Sequence, residues 1–431
     1  MNRLLVFITL SFILVLPALA QDASTPSIQT TSPYSRYGYG VLSNKGIGAS
    51  RSMGGISYGI RNQNINPGNP ASYSGVDTLT FIFDIGVSYT NAKLSENGIN
   101  QTDHLGGLDF LAIQFPIGRR IGVSAGFLPY SSVGYSFGYM HSFENQNAQY
   151  QTYFSGSGGL NQIYGGIAYE PINGLSIGAN VSYLYGTMEH DRSLPYFNGT
   201  TSYSRYEYRK FMINAAKYDF GIQAQIPISK TKKLTVGATY TPQISPKTRV
   251  KGRDIVYSIP NDTIVLDGKN LKVNFPHTFG LGFAISDRKL TFGADATFEK
   301  WKDLTYPVEM GDEMDTSTRF NNRWKFNAGV EYAINPSERN FFKRMKFRAG
   351  ANYSNSYVNV KGGGGYDEYG ATIGFGLPFR DTYTGRTSYI NIGFEYRRLE
   401  PEFKNMIKEE YFGVSLNVNL NDLWFMKNKF R

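Results

Sequence analysis

The chain has 431 residues, a formal net charge of +10, 32 tyrosines, 30 phenylalanines, 47 glycines and no cysteine. Disulfides and thiolate metal sites are thereby excluded, and four isolated histidines argue against a zinc centre. The basic residues are scattered rather than gathered on one run, which argues against nucleic acid as a partner; those beside turns suit anionic lipid headgroups instead.

At the N-terminus Arg3 precedes an apolar run from Leu4 to Leu16, and Ala18-Leu19-Ala20 before Gln21 has the small-x-small form of a signal-peptidase site. Residues 1–20 therefore read as a signal peptide, which sends the mature chain to the bacterial envelope. Beyond it no apolar stretch approaches the 18 or so residues of a spanning helix. A route through a membrane has to use strands. No linker and no shift in composition follows residue 79, so one large closed architecture fits better than two or three domains.

Residues 21–78 alternate poorly. They hold "SPYSRYGYG", "GIGASRSMGGISYGI" and the turn-dense "NQNINPGNPASYSG", Asn62 to Gly75. Proline fixes φ and removes a donor, glycine permits φ > 0, and Asn64, Asn66 and Asn69 carry side chains that bond local backbone groups. Such a knot suits tight turns in a confined space; the plainer reading is a periplasmic linker.

From residue 79 onward the chain alternates. In "KLTFGADATFEK" Leu290, Phe292, Ala294, Ala296 and Phe298 form an apolar face opposite Thr291, Gly293, Asp295, Thr297 and Glu299. The lipid face predicted this way includes Phe81, Phe83, Ile85, Phe292, Phe298, Ile390 and Phe394. Hairpins such as "YEPINGLSIGANVSY", "IPISKTKKLTVGATY" and "FAISDRKLTFGADATF" share a short polar turn, then apolar-x-apolar-Gly-x, then an aromatic. Strands near residues 79, 108, 120, 162, 175, 213, 234, 276, 289, 324, 346, 369, 388 and 411 number about fourteen, the even count of a transmembrane antiparallel β-barrel. Short periplasmic turns would alternate with long polar external connections at 92–105, 140–159, 187–210, 247–271 and 301–322. A secreted β-sandwich also alternates, but the strand pairs repeat without Greek-key irregularity. The last strand, Phe412 to Leu420, runs to Trp424-Phe425 near the chain end, similar to the signal read by the outer-membrane assembly machinery.

Fourteen strands enclose a lumen too wide for wall side chains to fill, so a plug is expected. "GASRSMGGISYG" followed by "NPGNPAS" and the first strand resembles the N-terminal hatch of the long-chain fatty-acid transporter family of outer-membrane proteins. The resemblance implies a hatch over 21–78 inside a barrel over 79–431, with Asn69, Pro70 and Ala71 as the family's Asn-Pro-Ala element and Gly54 and Gly55 as weaker matches. A ligand site, with many apolar contacts and a few polar groups, is expected to be walled partly by Met53, Ile56, Tyr58 and Ile60. Pro129 cannot donate to a ladder, so the third strand should carry a break in the wall near Pro129 to Gly134, the place where the resemblance implies a lateral opening. The rival reading of Pro129 is local, because Pro242 lies as far from Leu234 as Pro129 from Ile121. Length and aromatic content also resemble a barrel group of Bacteroidetes that includes relatives serving protein secretion.

No nucleophile elbow in strand-to-helix context appears, so no enzyme is expected, and no cofactor or metal. Asp84, Asp219, Asp295, Glu299, Glu331 and Glu395 fall on the wet faces, where carboxylates facing Arg348 and Arg397 solvate a lumen or tether a plug. Two functions remain for this outer-membrane protein: uptake of a hydrophobic small molecule with lateral exit, or a non-transporting scaffold with an envelope protein as partner in secretion or surface assembly. Its other partners would be outer-membrane lipids and the hydrophobic cargo.

Overall fold

The computed structural model describes residues 30–142, 149–198, 201–257, 262–304, 319–335, 338, 340–360, 364–381, 385–403 and 406–423. The signal peptide, Trp424-Phe425, Gly362, Gly363 and much of 301–322 lie outside the described residues. The wall consists of β1 (Thr80–Glu96), β2 (Ile99–Gly118), β3 (Ile121–Ser142), β4 (Gln149–Ile172), β5 (Leu175–Asn198), β6 (Thr201–Pro227) and β7 (Lys233–Thr241). It continues through β8 (His277–Ser286), β9 (Leu290–Lys300), β10 (Arg323–Ala333), β11 (Lys346–Asn355), β12 (Tyr366–Arg380), β13 (Thr387–Pro401) and β14 (Lys408–Leu423). Each strand pairs antiparallel with the next, and β14 returns to β1 from Leu423↔Thr80 to Lys408↔Ser95, so the fourteen strands close.

The alternation sorts the faces as the sequence predicts. Phe292 and Phe394 are 43% and 48% exposed on the outside, whereas Asp295 and Asn391 inside are 5% and 4% exposed. Phe81, Phe83, Ile85, Phe298 and Ile390 share the outer face, half-buried against their neighbours in the sheet. A one-residue slip of register would turn every one of them inward.

The predicted long connections are largely strand. β1 and β2 continue to a two-residue turn at Asn97-Gly98, both with positive φ, and β5 and β6 reach Asn198 and Thr201. The 247–271 stretch is a hairpin, Lys247–Tyr257 with Asp262–Lys272, that pairs with the far part of β6. Alternation is weak along this stretch, but the hydrogen-bond ladder does not need it. The wall is lopsided as a result: β2 to β6 have 20 to 27 residues and β7 to β11 only 9 to 11.

Residues 30–76 lie against the inner face of this wall, and the exposed residues 77–79 lead into β1. Thr30 to Leu42 sit at the far end: Ser32 donates to Glu409 (2.8 Å) and Tyr34 Oη to the Ile407 carbonyl (2.6 Å). Val41–Leu42 pairs with Ser131 and Ser132 of β3, and a 3-10 turn, Pro70–Gly75, then leads towards β1.

The glycine of the repeated hairpin motif explains this packing. A Cβ on Gly237 would stand 1.9 Å from the Tyr58 carbonyl oxygen, one on Gly350 2.1 Å from the Gly54 nitrogen, and one on Gly178 2.5 Å from the Pro70 carbonyl carbon. Gly293 faces Ile56 and Gly393 faces Ser52 at 3.1 and 2.6 Å. From β13 back to β7 the segment thus advances two residues per hairpin, from Ser52 to Tyr58, running crosswise to the strands. β3 departs from the rule: its motif glycine, Gly126, meets β2, and Gly122 takes the contact with Tyr73. Gly165, with nothing within 4 Å of its Cβ position, is a control. Gly237→Val should destabilise the barrel by about 1–3 kcal/mol through overpacking and Gly165→Val by much less, read from denaturant midpoints of the detergent-folded protein.

Candidate functional site

Wall side chains meet the main chain of the N-terminal segment. The Asp295 carboxylate on β9 accepts from Ser57 N–H and from Tyr58 N–H (2.9 Å), and Tyr58 Oη lies 2.8 Å from Thr297 Oγ1. The Tyr58 carbonyl accepts from Gln223 Nε2 and Asn69 Nδ2, both at 2.9 Å, and Gly54 N–H donates to Thr372 Oγ1 at 2.9 Å. Buried backbone groups that cannot join a ladder are paired in this way.

Asn69 is fully buried and joins both halves of the contact. Its Oδ1 accepts from Ala71 N–H at 3.1 Å, capping the 3-10 turn that Pro70 begins, while its Nδ2 also reaches the Ile222 carbonyl at 3.3 Å. Asn66 Nδ2 closes the knot onto the carbonyls of Ser57 (2.6 Å) and Ile60 (3.2 Å).

Charge reinforces the seat. Arg51 pairs with Asp109 and with Glu395 (3.1 Å), Arg61 with Glu170 (2.7 Å), and Lys45 lies 3.9 Å from Asp219. Four carboxylates therefore tether the segment to β2, β13, β4 and β6. Other predicted lumen charges do not face one another across it. Glu331 pairs with Arg348 on the adjoining strand (2.6 Å), and Arg397 with Glu368 (3.9 Å), because neighbouring inward residues lie closer than the opposite wall.

Above this floor the far end is filled by an apolar cluster. Tyr39, fully buried, stacks on Phe275 with ring centroids 4.7 Å apart, and Trp301, Phe320 and Tyr357 surround it. Between floor and cluster lies a cavity of about 250 Å³. Leu105, Leu128 and Phe275 supply apolar lining, whereas Lys217, Arg323 and Lys325 supply positive charge. Lys325 Nζ donates to Asn44 Oδ1 at 2.8 Å.

Of the four residues expected to wall a ligand site, only Tyr58 lines this cavity. Met53, Ile56 and Ile60 form a separate buried cluster with Ala284, since their part of the segment is pressed onto glycines of the wall and turns its apolar side chains into it. Gly54 and Gly55 adopt positive φ, and Gly54 approaches the carbonyls of Ala328 and Ala351 too closely to carry a Cβ. Lys217, Arg323 and Lys325 each occupy a wet position of their strand, but nothing in the periodicity signals that they meet at one cavity.

Near Pro129 the wall is interrupted in its pairing while the third strand itself is continuous. β3 runs unbroken from Ile121 to Ser142, and its ladder with β4 shifts register only once, between Pro129 and Ser131. The interruption is on the β2 side, where pairing ends at Leu111↔Phe127 although both strands continue. The Ser43 N–H donates to the Tyr130 carbonyl (2.9 Å), and Gly134 N–H donates to Ser35 Oγ (3.0 Å), so the N-terminal segment meets the released edge. Gly134 is thus a contact for Ser35 rather than a vacant margin.

A family model described as BamG matches residues 1–431. None of the curated proteins matches the chain. Among solved structures it is similar to the Pseudomonas putida toluene transporter TodX, with 16% identity over 89% of this chain and 100% of that one and a TM-score of 0.61. It is also similar to the Ralstonia pickettii toluene transporter TbuX, at 14% identity over 87% and 98% of the two chains with a TM-score of 0.57. The monoaromatic hydrocarbon channel CymD gives 13% identity over 90% and 99%, with a TM-score of 0.53. At these identities the likeness is one of fold.

Asp295→Ala strands two buried N–H donors of the segment at once. It should cost about 1–3 kcal/mol, read as a lowered denaturant midpoint, whereas Asp295→Asn, which keeps an acceptor oxygen, should retain part of the stability.

Proposed function

The chain belongs to the BamG family along its whole length, and from its barrel we propose an outer-membrane transporter for a small hydrophobic molecule that carries one anionic, fatty-acid-like end. The carrying observation is the β2–β3 ladder, which stops at Leu111↔Phe127 while the cavity borders both released strands, at Leu105 and at Leu128 to Pro129. The family resemblance noted from the sequence associates this position with lateral exit, and residues 21–78 with a hatch.

The lining chemistry favours such a cargo. Apolar side chains gather beside the interruption and Arg323 and Lys325 lie on the opposite strands, so a tail and an anionic head find different surroundings in one cavity. Lateral transfer keeps the tail from water, which would cost about 25 cal/mol per Å² of apolar surface. The toluene transporters TodX and TbuX share this fold.

A second reading, a non-transporting scaffold for an envelope protein in secretion or surface assembly, is favoured by the apolar cluster over the far end. Tyr39 and Trp301 are fully buried there, so entry from outside requires that cluster to part.

The chain has no cysteine, so Leu105→Cys with Leu128→Cys, joined by a bifunctional maleimide, can close the interruption specifically. Uptake of a fluorescent fatty acid should fall to the level of cells lacking the protein; unchanged uptake would remove the lateral route. Lipid mass spectrometry of the detergent-purified protein should find a co-purifying amphiphile, whereas a stoichiometric protein partner without one would favour the scaffold. Deleting residues 34–75 should raise permeability to small hydrophilic antibiotics, and unchanged permeability of a correctly assembled variant would exclude a plug.

A further inference from the structure

The wall is interrupted a second time. β6 pairs with β7 from Pro227↔Lys233 to Phe220↔Tyr240, and farther up with the hairpin strand from Met212↔Arg249 to Ser204↔Tyr257. Between these ladders, among the described residues, no pair joins 213–219 of β6 to the facing stretch "TPQISPKT", residues 241–248. Pro242 and Pro246 have no N–H to give. The stretch also turns its remaining bonds away from β6: Ile244 exchanges both backbone hydrogen bonds with Phe275 (3.3 and 2.9 Å), and the Pro246 carbonyl accepts from Val273 N–H (3.1 Å).

The cavity that borders the first interruption at Leu128 and Pro129 borders this one at Lys217, Thr241, Pro242 and Ile244. The two margins differ in chemistry. At the first, Leu105 and Leu128 are apolar and buried, and the nearby Asp109 is closed by its pair with Arg51. At the second, Lys217 (2.5 Å) and Lys45 (3.9 Å) share the single carboxylate of Asp219, to which Thr241 Oγ1 also donates, leaving one positive charge in surplus. Glu299, the next carboxylate on the lining, is engaged by Trp301 Nε1 (2.7 Å) and lies 3.8 Å from Arg323. The ladder ends at the level of Tyr240, which stacks on His277 on the outer face and meets its Nδ1 at 3.0 Å. Amphipathic rings of this kind mark the boundary between hydrocarbon and water, so the unpaired stretch beyond Tyr240 is on the water side.

We infer that the cavity has a second, polar side port between β6 and β7 that admits a carboxylate or phosphate, free or on a lipid headgroup, to Lys45 and Lys217. The inference rests on the reading that the cavity receives a ligand, and it makes the cavity a transverse passage with an apolar and a cationic mouth. Its test reads access rather than uptake, so it fails or stands separately from lateral transport.

In the cysteine-free chain Thr278→Cys places one thiol on the buried cavity lining. On intact cells the anionic methanethiosulfonate ethylsulfonate reagent should label it about threefold faster than the cationic trimethylammonium reagent, as one surplus charge in a partly screened site gives. Lys217→Gln should abolish that preference while labelling persists. Ala215→Trp, which fills the second interruption, should slow labelling severalfold, and Gly107→Trp at the first should not. Pro242→Ala with Pro246→Ala restores two donors and should slow labelling too, covering the case in which the tryptophan variant fails to fold. Protection by inorganic phosphate identifies a free anion, and protection by anionic phospholipid micelles alone identifies a headgroup. Labelling lost only with Gly107→Trp, or absent while Asn97→Cys in the exposed β1–β2 turn reacts, would overturn the port; protection by neither anion would overturn the anion assignment.

Discussion

The arrangement depends on main chain lying directly on main chain. A fourteen-stranded barrel is too wide for its own side chains to fill, and here the space is taken by a polypeptide running across the strands. At Gly237 and Gly350, where the wall has no Cβ, an added carbon would stand about 2 Å from a backbone atom of the segment. Such proximity leaves no room for water between the two, so the polar groups of the segment need partners from the wall. Asp295, Thr372 and Gln223 serve as those partners, each from an inward position.

Continuity of the wall is the second constraint. In hydrocarbon each unpaired backbone group costs several kcal/mol, which forces every lipid-level strand into a complete ladder. Proline at Pro129 and Pro242 falls where that demand ends, and at each the neighbouring ladder stops within two residues, at Phe127 and at Tyr240. Both prolines therefore mark a place where pairing with the neighbouring strand ends. What distinguishes the first interruption is its occupant: Val41–Leu42 and Ser43 bond the released edge of β3.

The two functional readings divide on the far end of the barrel. Its cover draws on side chains from the N-terminal segment, the strand ends and the connecting stretches together, with Tyr39 at the centre. Parting that cover would break many small dispersion contacts at once. A transporter has to meet that cost with cargo, whereas a scaffold gains rigidity from it.

Much of this was legible in the sequence. A period of two fixes which side of a strand meets lipid, so fourteen strands and faces such as Phe292 against Asp295 follow from residue order alone. Turn chemistry likewise marked Asn69-Pro70-Ala71 as a compact element. The far halves of β3 to β6 were not legible, because their inward residues include packed apolar side chains such as Phe154, Met188 and Phe211, so the contrast between the two faces fades while the ladder is kept. The recurrent glycine was visible as a pattern but not as a contact, since its cause is a second stretch of chain more than a hundred residues away. Met53, Ile56 and Ile60 read as a ligand wall because they are apolar; whether an apolar side chain faces a cavity or the barrel wall is decided by the path of the backbone that carries it. The sequence determined the periodicity and the turns, which are local properties, and the tertiary structure alone decided which inward groups meet, because those contacts depend on the closure of the barrel around its own N-terminal segment.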